Sequence, residues 1–137
     1  MSYLLIVLII IFSSLSLLHF YWAAGGQWWL SNALPTNESG QHALKTGTVS
    51  SMVVGLGLLG FASYYFILPA NALSSTLTYI VGWTIPSIFL LRSIGDFKYV
   101  GFFKTVKSTE FAKYDNRYYV PLCLVIGVMG LAVAAQL

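Results

Sequence analysis

Four long apolar segments constrain this chain more than any other feature of its sequence. They cover about residues 2–24, 47–68, 73–91 and 118–137, and the first contains no charged side chain. A bilayer core of about 30 Å requires about 20 mostly apolar helical residues, and each segment has roughly that length. The sequence therefore predicts an all-α protein, a four-helix transmembrane bundle that forms a single integral membrane domain over residues 1–137.

The composition supports the same class of protein. Of the 137 residues, 58% are hydrophobic and 8% are charged, whereas about a quarter of the residues of a soluble domain are charged. A signal peptide is the alternative interpretation of residues 2–24. It would require a basic start and a shorter apolar core of about 7 to 15 residues. Because neither is present, we expect a retained helix.

The basic residues all fall on one side of this arrangement. Four spans place the loops 25–46 and 92–117 on the same side, and these loops contain all 7 Lys and Arg residues. The positive-inside rule assigns such loops to the cytoplasm. We therefore expect a multi-pass protein of the cell membrane, with both loops cytoplasmic and both termini on the outer side.

Small residues predict how the helices pack. The second span carries Gly47, Ser51 and Gly55 at four-residue spacing, and Gly57 and Gly60 on another face. Stripes in the first and fourth spans comprise Ser13, Ser16, His19, Ala23, Gly127, Gly130 and Ala134. Helices in lipid associate through close backbone approach and interhelical hydrogen bonds. The stripes predict either packing within one bundle or a homodimer through glycine-rich faces, and the sequence leaves both open.

Two prolines fall in the predicted spans. Pro86 removes the helical hydrogen bond to the Gly82 carbonyl, so we expect a kink there, with Thr84 or Ser87 as a replacement donor. Such a kink either opens a cavity or only adjusts the packing. Pro121 is expected in the first turn of the fourth helix, where N–H groups have no intrahelical partner.

The segment between the third and fourth spans alternates aromatic and basic residues. Its sequence, DFKYVGFFKTVKSTEF, predicts a short amphipathic segment that lies in the membrane interface. Its lysines would contact anionic headgroups. The loop is too short and too close to the bilayer to predict nucleic-acid binding.

The stretch LHFYWAAGGQWWL, residues 18–30, raises the question of a functional site. Aromatic rings at headgroup depth and glycines at a helix end explain most of it structurally. His19, however, falls on the same membrane face as Arg92 and Asp115, which flank the loop 92–117. Ionisable residues in or beside a span indicate a functional site by default. The predicted ligand-binding residues are His19, Tyr21, Trp22, Arg92, Asp96, Asp115 and Tyr119. The alternative is a structural brace in which Arg92 and the two aspartates neutralise one another.

Several kinds of site find no support in the sequence. The chain has 1 cysteine and 2 histidines. It contains no glycine-rich phosphate loop and neither H-E-x-x-H nor G-x-S-x-G. We therefore expect no metal and no cofactor, and we assign no catalytic residue.

Two blocks of the sequence resemble a known family. LHFYWAAGGQWW and LRSIGDFKYVGFFKTVKSTEFAKYDNRYYVPLCL are similar to the bacterial family catalogued as domain of unknown function 3995, over nearly the whole chain. The resemblance implies a small four-helix membrane protein with no assigned activity. The family's characteristic positions correspond to His19, Tyr21, Trp22, Gly25, Gly26, Trp28, Arg92, Gly95, Asp96, Gly101, Phe102, Phe111, Asp115, Tyr119, Pro121 and Leu122. Trp29 departs from the pattern, because a smaller residue is expected there.

Three functions stay open at this point. The first is binding or transport of a small or lipid-like ligand, anionic in view of the excess of Lys and Arg, in a polar pocket at the cytoplasmic end. The second is a membrane-embedded enzyme with His19 as general acid or base on a lipid-like substrate. The third is a non-catalytic partner subunit of a larger membrane complex.

Overall fold

Four long helices form the structure. A computed structural model of the chain describes residues 2–26, 28, 48–95 and 113–137. The helices are α1 (Ser2–Ala23), α2 (Thr48–Ile67), α3 (Ser75–Ile94) and α4 (Val120–Ala134). No strand occurs within those ranges.

The predicted all-α architecture with four spans is confirmed. α1, α2 and α3, and α4 together with the helical turn before it, are each long and apolar enough to cross a membrane. This makes the chain a multi-pass membrane protein. The predicted amphipathic segment between α3 and α4 lies outside the described residues.

The helices pack as two antiparallel pairs, α1 with α2 and α3 with α4, and α1 also touches α4. α1 and α3 end, and α2 and α4 begin, at the same end of the bundle. We call it the charged end, because it contains all the charged side chains among the described residues. One lies in the last turn of α3 and three lie just before α4: Arg92, Lys113, Asp115 and Arg117.

The connection between α2 and α3 at the opposite end is short. Pro69 lies in a single 3₁₀ turn, Leu68–Ala70, and Asn71 follows it in the left-handed conformation with a φ of 52°. Ser74 then caps α3, since its hydroxyl accepts a hydrogen bond from the Leu77 N–H at 3.3 Å. Pro69 and Asn71 thus end the second helix, because proline and a residue in the left-handed conformation both interrupt an α-helix.

The seam between α1 and α2 contains the predicted small residues. Ser16 is buried and its hydroxyl donates to the Gly55 carbonyl at 2.7 Å. A Cβ at Gly55 would lie 2.8 Å from the ring of Phe20. The absence of a side chain at Gly55 therefore lets α1 approach the backbone of α2 closely, as expected for helices in lipid.

A second glycine seam joins α3 to α4. Leu90 packs on Gly127, and Pro86 packs on Gly130, where an added Cβ would lie 2.8 Å from the proline Cβ. α3 remains helical through Pro86. Thr84 donates to the Ile80 carbonyl and Ser87 to the Trp83 carbonyl, each at 2.7 Å. The prediction that one of them bonds the Gly82 carbonyl is wrong, because each hydroxyl reaches the carbonyl four residues before it.

Aromatic rings join the two helix pairs at mid-depth. The ring of Phe12 in α1 lies 5.6 Å from that of Phe61, 5.9 Å from Tyr65 and 5.2 Å from Phe89, measured between centroids. Phe12 and Tyr65 are almost completely buried. Such aromatic contacts add to the packing energy of the core, and they fix the relative height of α1 and α3.

Candidate functional site

A tight helix end lies at the terminus of α1. The Gly26 N–H donates to the Tyr21 carbonyl at 2.9 Å, and the Gly25 N–H donates to the Trp22 carbonyl at 3.1 Å. This pair of bonds defines a Schellman motif. Gly25 has a φ of 104°, a conformation that side-chain-bearing residues rarely adopt. The expected role of the glycine pair in ending the first helix is therefore confirmed.

The aromatic side chains before the glycines hold the chain after them. The Trp22 indole N–H donates to the Trp28 carbonyl at 2.8 Å. The Tyr21 hydroxyl accepts a 3.4 Å contact from the Trp28 N–H. The Tyr21 ring also covers Gly26, where no side chain would fit. Tyr21 and Trp22 thus hold the reversal of the chain at the end of α1, a role that sequence spacing alone did not reveal.

His19 lies one turn before this reversal, partly buried. Its Nδ1 is 2.7 Å from the Leu15 carbonyl oxygen. Because a carbonyl can only accept, Nδ1 carries the proton, and Nε2 is the nitrogen that faces away from its own helix. The imidazole meets the Trp22 ring edge-on, with 4.9 Å between centroids and an interplanar angle of 70°.

The ionic part of the site joins α3 to the start of the fourth span. Arg92 Nη2 lies 3.1 Å from Asp115 Oδ1. The Asp115 side chain has no exposed surface, whereas 32% of the Arg92 side chain is exposed. The other terminal nitrogen, Arg92 Nη1, is buried and has no hydrogen-bond partner among the described residues. A buried guanidinium nitrogen without an acceptor carries an unrecovered desolvation cost.

A π-helical turn places Asp115 in this position. The turn covers Asp115–Tyr119, and the Val120 N–H reaches back five residues to the Asp115 carbonyl. Pro121 has no N–H to donate to the Arg117 carbonyl, and its ring crowds that carbonyl. Widening the preceding turn relieves the clash. Pro121 is the second residue of α4 and so stands in the first turn of that α-helix, as expected, with the π-helical turn directly before it.

The helix registers show that Arg92 extends toward the charged end. Phe12 and Phe89 are in contact, and α1 and α3 run in the same direction. His19 follows Phe12 by seven residues in α1, and Arg92 follows Phe89 by three in α3. At 1.5 Å per residue, the Arg92 Cα therefore lies about one helical turn farther from the charged end than the His19 Cα. Its guanidinium nevertheless reaches Asp115 at the very start of the fourth span. The long side chain therefore carries its charge from within α3 to the start of the fourth span.

The contacts among the predicted site residues form two local groups. His19, Tyr21 and Trp22 interact among themselves and with the turn after α1, whereas Arg92 pairs with Asp115. Within the described ranges His19 makes no hydrogen bond to either member of that pair. The remaining two predicted residues are half-buried Tyr119, which has contacts of its own, and Asp96, which lies outside the described residues together with its predicted pairing to Arg92.

Metal binding finds no support in the part of the chain that the structure describes. No group of three or more His, Cys, Asp or Glu side chains comes together there. The arrangement at the charged end consists instead of a buried carboxylate, a guanidinium and a histidine held by a backbone carbonyl. Of these groups the guanidinium can donate hydrogen bonds to an anion, and an imidazole can accept or donate a proton.

Comparison with known proteins supports the resemblance of the sequence blocks. A family model described as Protein of unknown function (DUF3995) matches residues 12–130. The chain belongs to this family. The matched region includes both groups of the candidate site, the whole of the second and third spans, and parts of the first and fourth. No curated protein and no solved structure matches the chain significantly.

Proposed function

We propose that the protein binds or transports a small or lipid-like anionic ligand at the charged end of the bundle, and that this end lies in the cytoplasm. One observation carries the proposal. Arg92 spends a single nitrogen on Asp115 and keeps a second, buried nitrogen without an acceptor among the described residues. An anion supplies the missing acceptor and recovers the cost of desolvating this nitrogen.

The charge balance at the charged end supports an anionic ligand. Among the described residues, Arg92, Lys113 and Arg117 face a single carboxylate, that of Asp115. Lys113 and Arg117 are exposed and attract anions at longer range, whereas Arg92 is the one held by a buried partner. Specific contact is thus assigned to Arg92, and general attraction to the other two.

The orientation of His19 favours a second candidate function, an enzyme acting on a lipid-like substrate. With Nδ1 protonated and bonded to the Leu15 carbonyl, Nε2 is the basic nitrogen. A general base needs this orientation. We rank this candidate second because the acceptor behind the ring is a carbonyl, which stabilises a developing imidazolium less than a carboxylate does. The third candidate, a partner subunit, would use the face of α2 where a Cβ added at Gly57 or Gly60 would meet no other described part of the chain within 4 Å.

Mass spectrometry of molecules that co-purify with the protein tests the leading proposal. Arg92→Lys keeps a positive charge beside Asp115 but loses the forked set of donors. Arg117→Lys is the matched control, because Arg117 is exposed and its guanidinium carbon lies 5.4 Å from the Tyr118 ring centre at the same end. We expect a compound that accompanies the wild type and the control but is depleted with Arg92→Lys. Equal amounts with all three proteins, at equal thermal stability, would refute ligand binding through Arg92.

A further inference from the structure

We infer that the group recognised by Arg92 is a phosphate oxyanion, either that of a phospholipid headgroup or that of free phosphate. This inference rests on the proposed function and specifies its ligand. It joins three observations on the described residues: the unfilled donor edge of Arg92, the depth of its guanidinium, and the excess of cations around it.

Among the described residues, Arg92 keeps unused N–H donors because it makes a single hydrogen bond to Asp115. A guanidinium has five N–H donors in a planar fork, and a carboxylate that meets it side-on takes two of them in parallel. Here the contact joins only Nη2 and Oδ1, so Asp115 holds the guanidinium in place without taking its full set of donors. A small rotation toward the exposed side of Arg92 presents Nη1 to an incoming oxyanion. Two non-ester oxygens of a phosphate match such a fork.

Depth selects the phosphate. The Arg92 backbone lies inside α3, yet its guanidinium reaches the start of the fourth span, where the apolar segment meets the headgroup layer. Phospholipids carry their phosphates in that layer at high local concentration. Because the phosphate concentration in that layer is high, a site there is occupied even if its intrinsic affinity is low.

The surrounding charge distinguishes the site from a closed ion pair. A guanidinium neutralised by one carboxylate would give no net attraction for an anion. The exposed Lys113 and Arg117 leave the charged end positive among the described residues. Basic residues near a membrane surface each attract anionic lipid by about 1 kcal/mol. Asp115 thus positions Arg92 while the neighbouring cations maintain the attraction.

Native mass spectrometry of the delipidated full chain in detergent tests the inference. The probes are phosphatidylglycerol, a diacylglycerol with the same acyl chains, oleate and inorganic phosphate. We expect the wild type to bind one phosphatidylglycerol per protein. Arg92→Lys should bind it at least about tenfold more weakly, because one charge-assisted hydrogen bond is lost. Arg117→Lys should bind it with unchanged affinity. Diacylglycerol should bind the wild type as weakly as phosphatidylglycerol binds Arg92→Lys. Melting temperatures in detergent check that each variant is folded.

The four probes distinguish a lipid phosphate from free phosphate. They also distinguish failure of the phosphate inference from failure of the proposed function. Competition by millimolar inorganic phosphate, lost with Arg92→Lys, assigns free phosphate, and lack of competition assigns the lipid headgroup; both support phosphate recognition. Oleate binding that depends on Arg92, without such dependence for phosphatidylglycerol or inorganic phosphate, would overturn the phosphate inference and leave the proposed function standing. Binding that is equal in wild type and Arg92→Lys for every probe would overturn both.

Discussion

Replacing Asp115 with Asn isolates the charge of the Arg92–Asp115 pair. In the native protein, Arg92 Nη2 lies 3.1 Å from Asp115 Oδ1. Asn has almost the same shape as Asp and still offers an oxygen to this nitrogen. A hydrogen bond to a charged group contributes about 1.5–3 kcal/mol, and a neutral one about 0.5–1.5 kcal/mol. Because Asp115 is fully buried while 32% of Arg92 is exposed to screening solvent, we expect Asp115→Asn to lower the free energy of unfolding by about 1–2 kcal/mol.

A double-mutant cycle with Arg92→Gln measures this coupling directly. Unfolding is followed in mixed micelles as the fraction of denaturing detergent rises, for the wild type, both single variants and the double variant. We expect a coupling free energy of about 1–2 kcal/mol between Arg92 and Asp115. The same cycle between Asp115→Asn and Arg117→Gln should give a coupling near zero, since Arg117 lies on the Tyr118 ring. Equal couplings in the two cycles would refute the assignment of Arg92 as the specific partner.

Three further predictions follow from the packing and the charge distribution. Gly130→Ala should destabilise the protein by about 1–2 kcal/mol, because its Cβ would lie 2.8 Å from the rigid Pro86 ring of α3. Gly57→Ala, whose Cβ would meet no described neighbour, should be neutral or stabilising in the same unfolding assay. Gly25→Ala should cost about 1 kcal/mol at a φ of 104° and lower the melting temperature; an unchanged value would contradict the helix end described above. In intact cells, with the native cysteine removed, cysteines placed in residues 36–42 or 98–113 should be shielded from an impermeant thiol reagent, and one at the C terminus should be labelled. The reverse labelling pattern would show the opposite orientation.

The sequence alone determined the four spans and the end of α1. Apolar length is a local property, so four membrane helices follow from composition and spacing without knowledge of their packing. The chemistry of a helix end is local as well, and Gly25 after a run of apolar residues predicted the end of α1. The number of spans then placed Arg92 and Asp115 at one end of the bundle, because every second loop returns to the same side.

Only the tertiary structure decided which side chains meet at the charged end. Partner choice depends on the rotation and height of each helix, and these are set by distant contacts such as Phe12 on Phe89 and Pro86 on Gly130. Neither contact can be read from the residues around Arg92. The packing joined Arg92 to Asp115, whose π-helical turn arises from the nearby Pro121. His19 bonds instead within its own helix, where its Nδ1 meets the Leu15 carbonyl one turn before it.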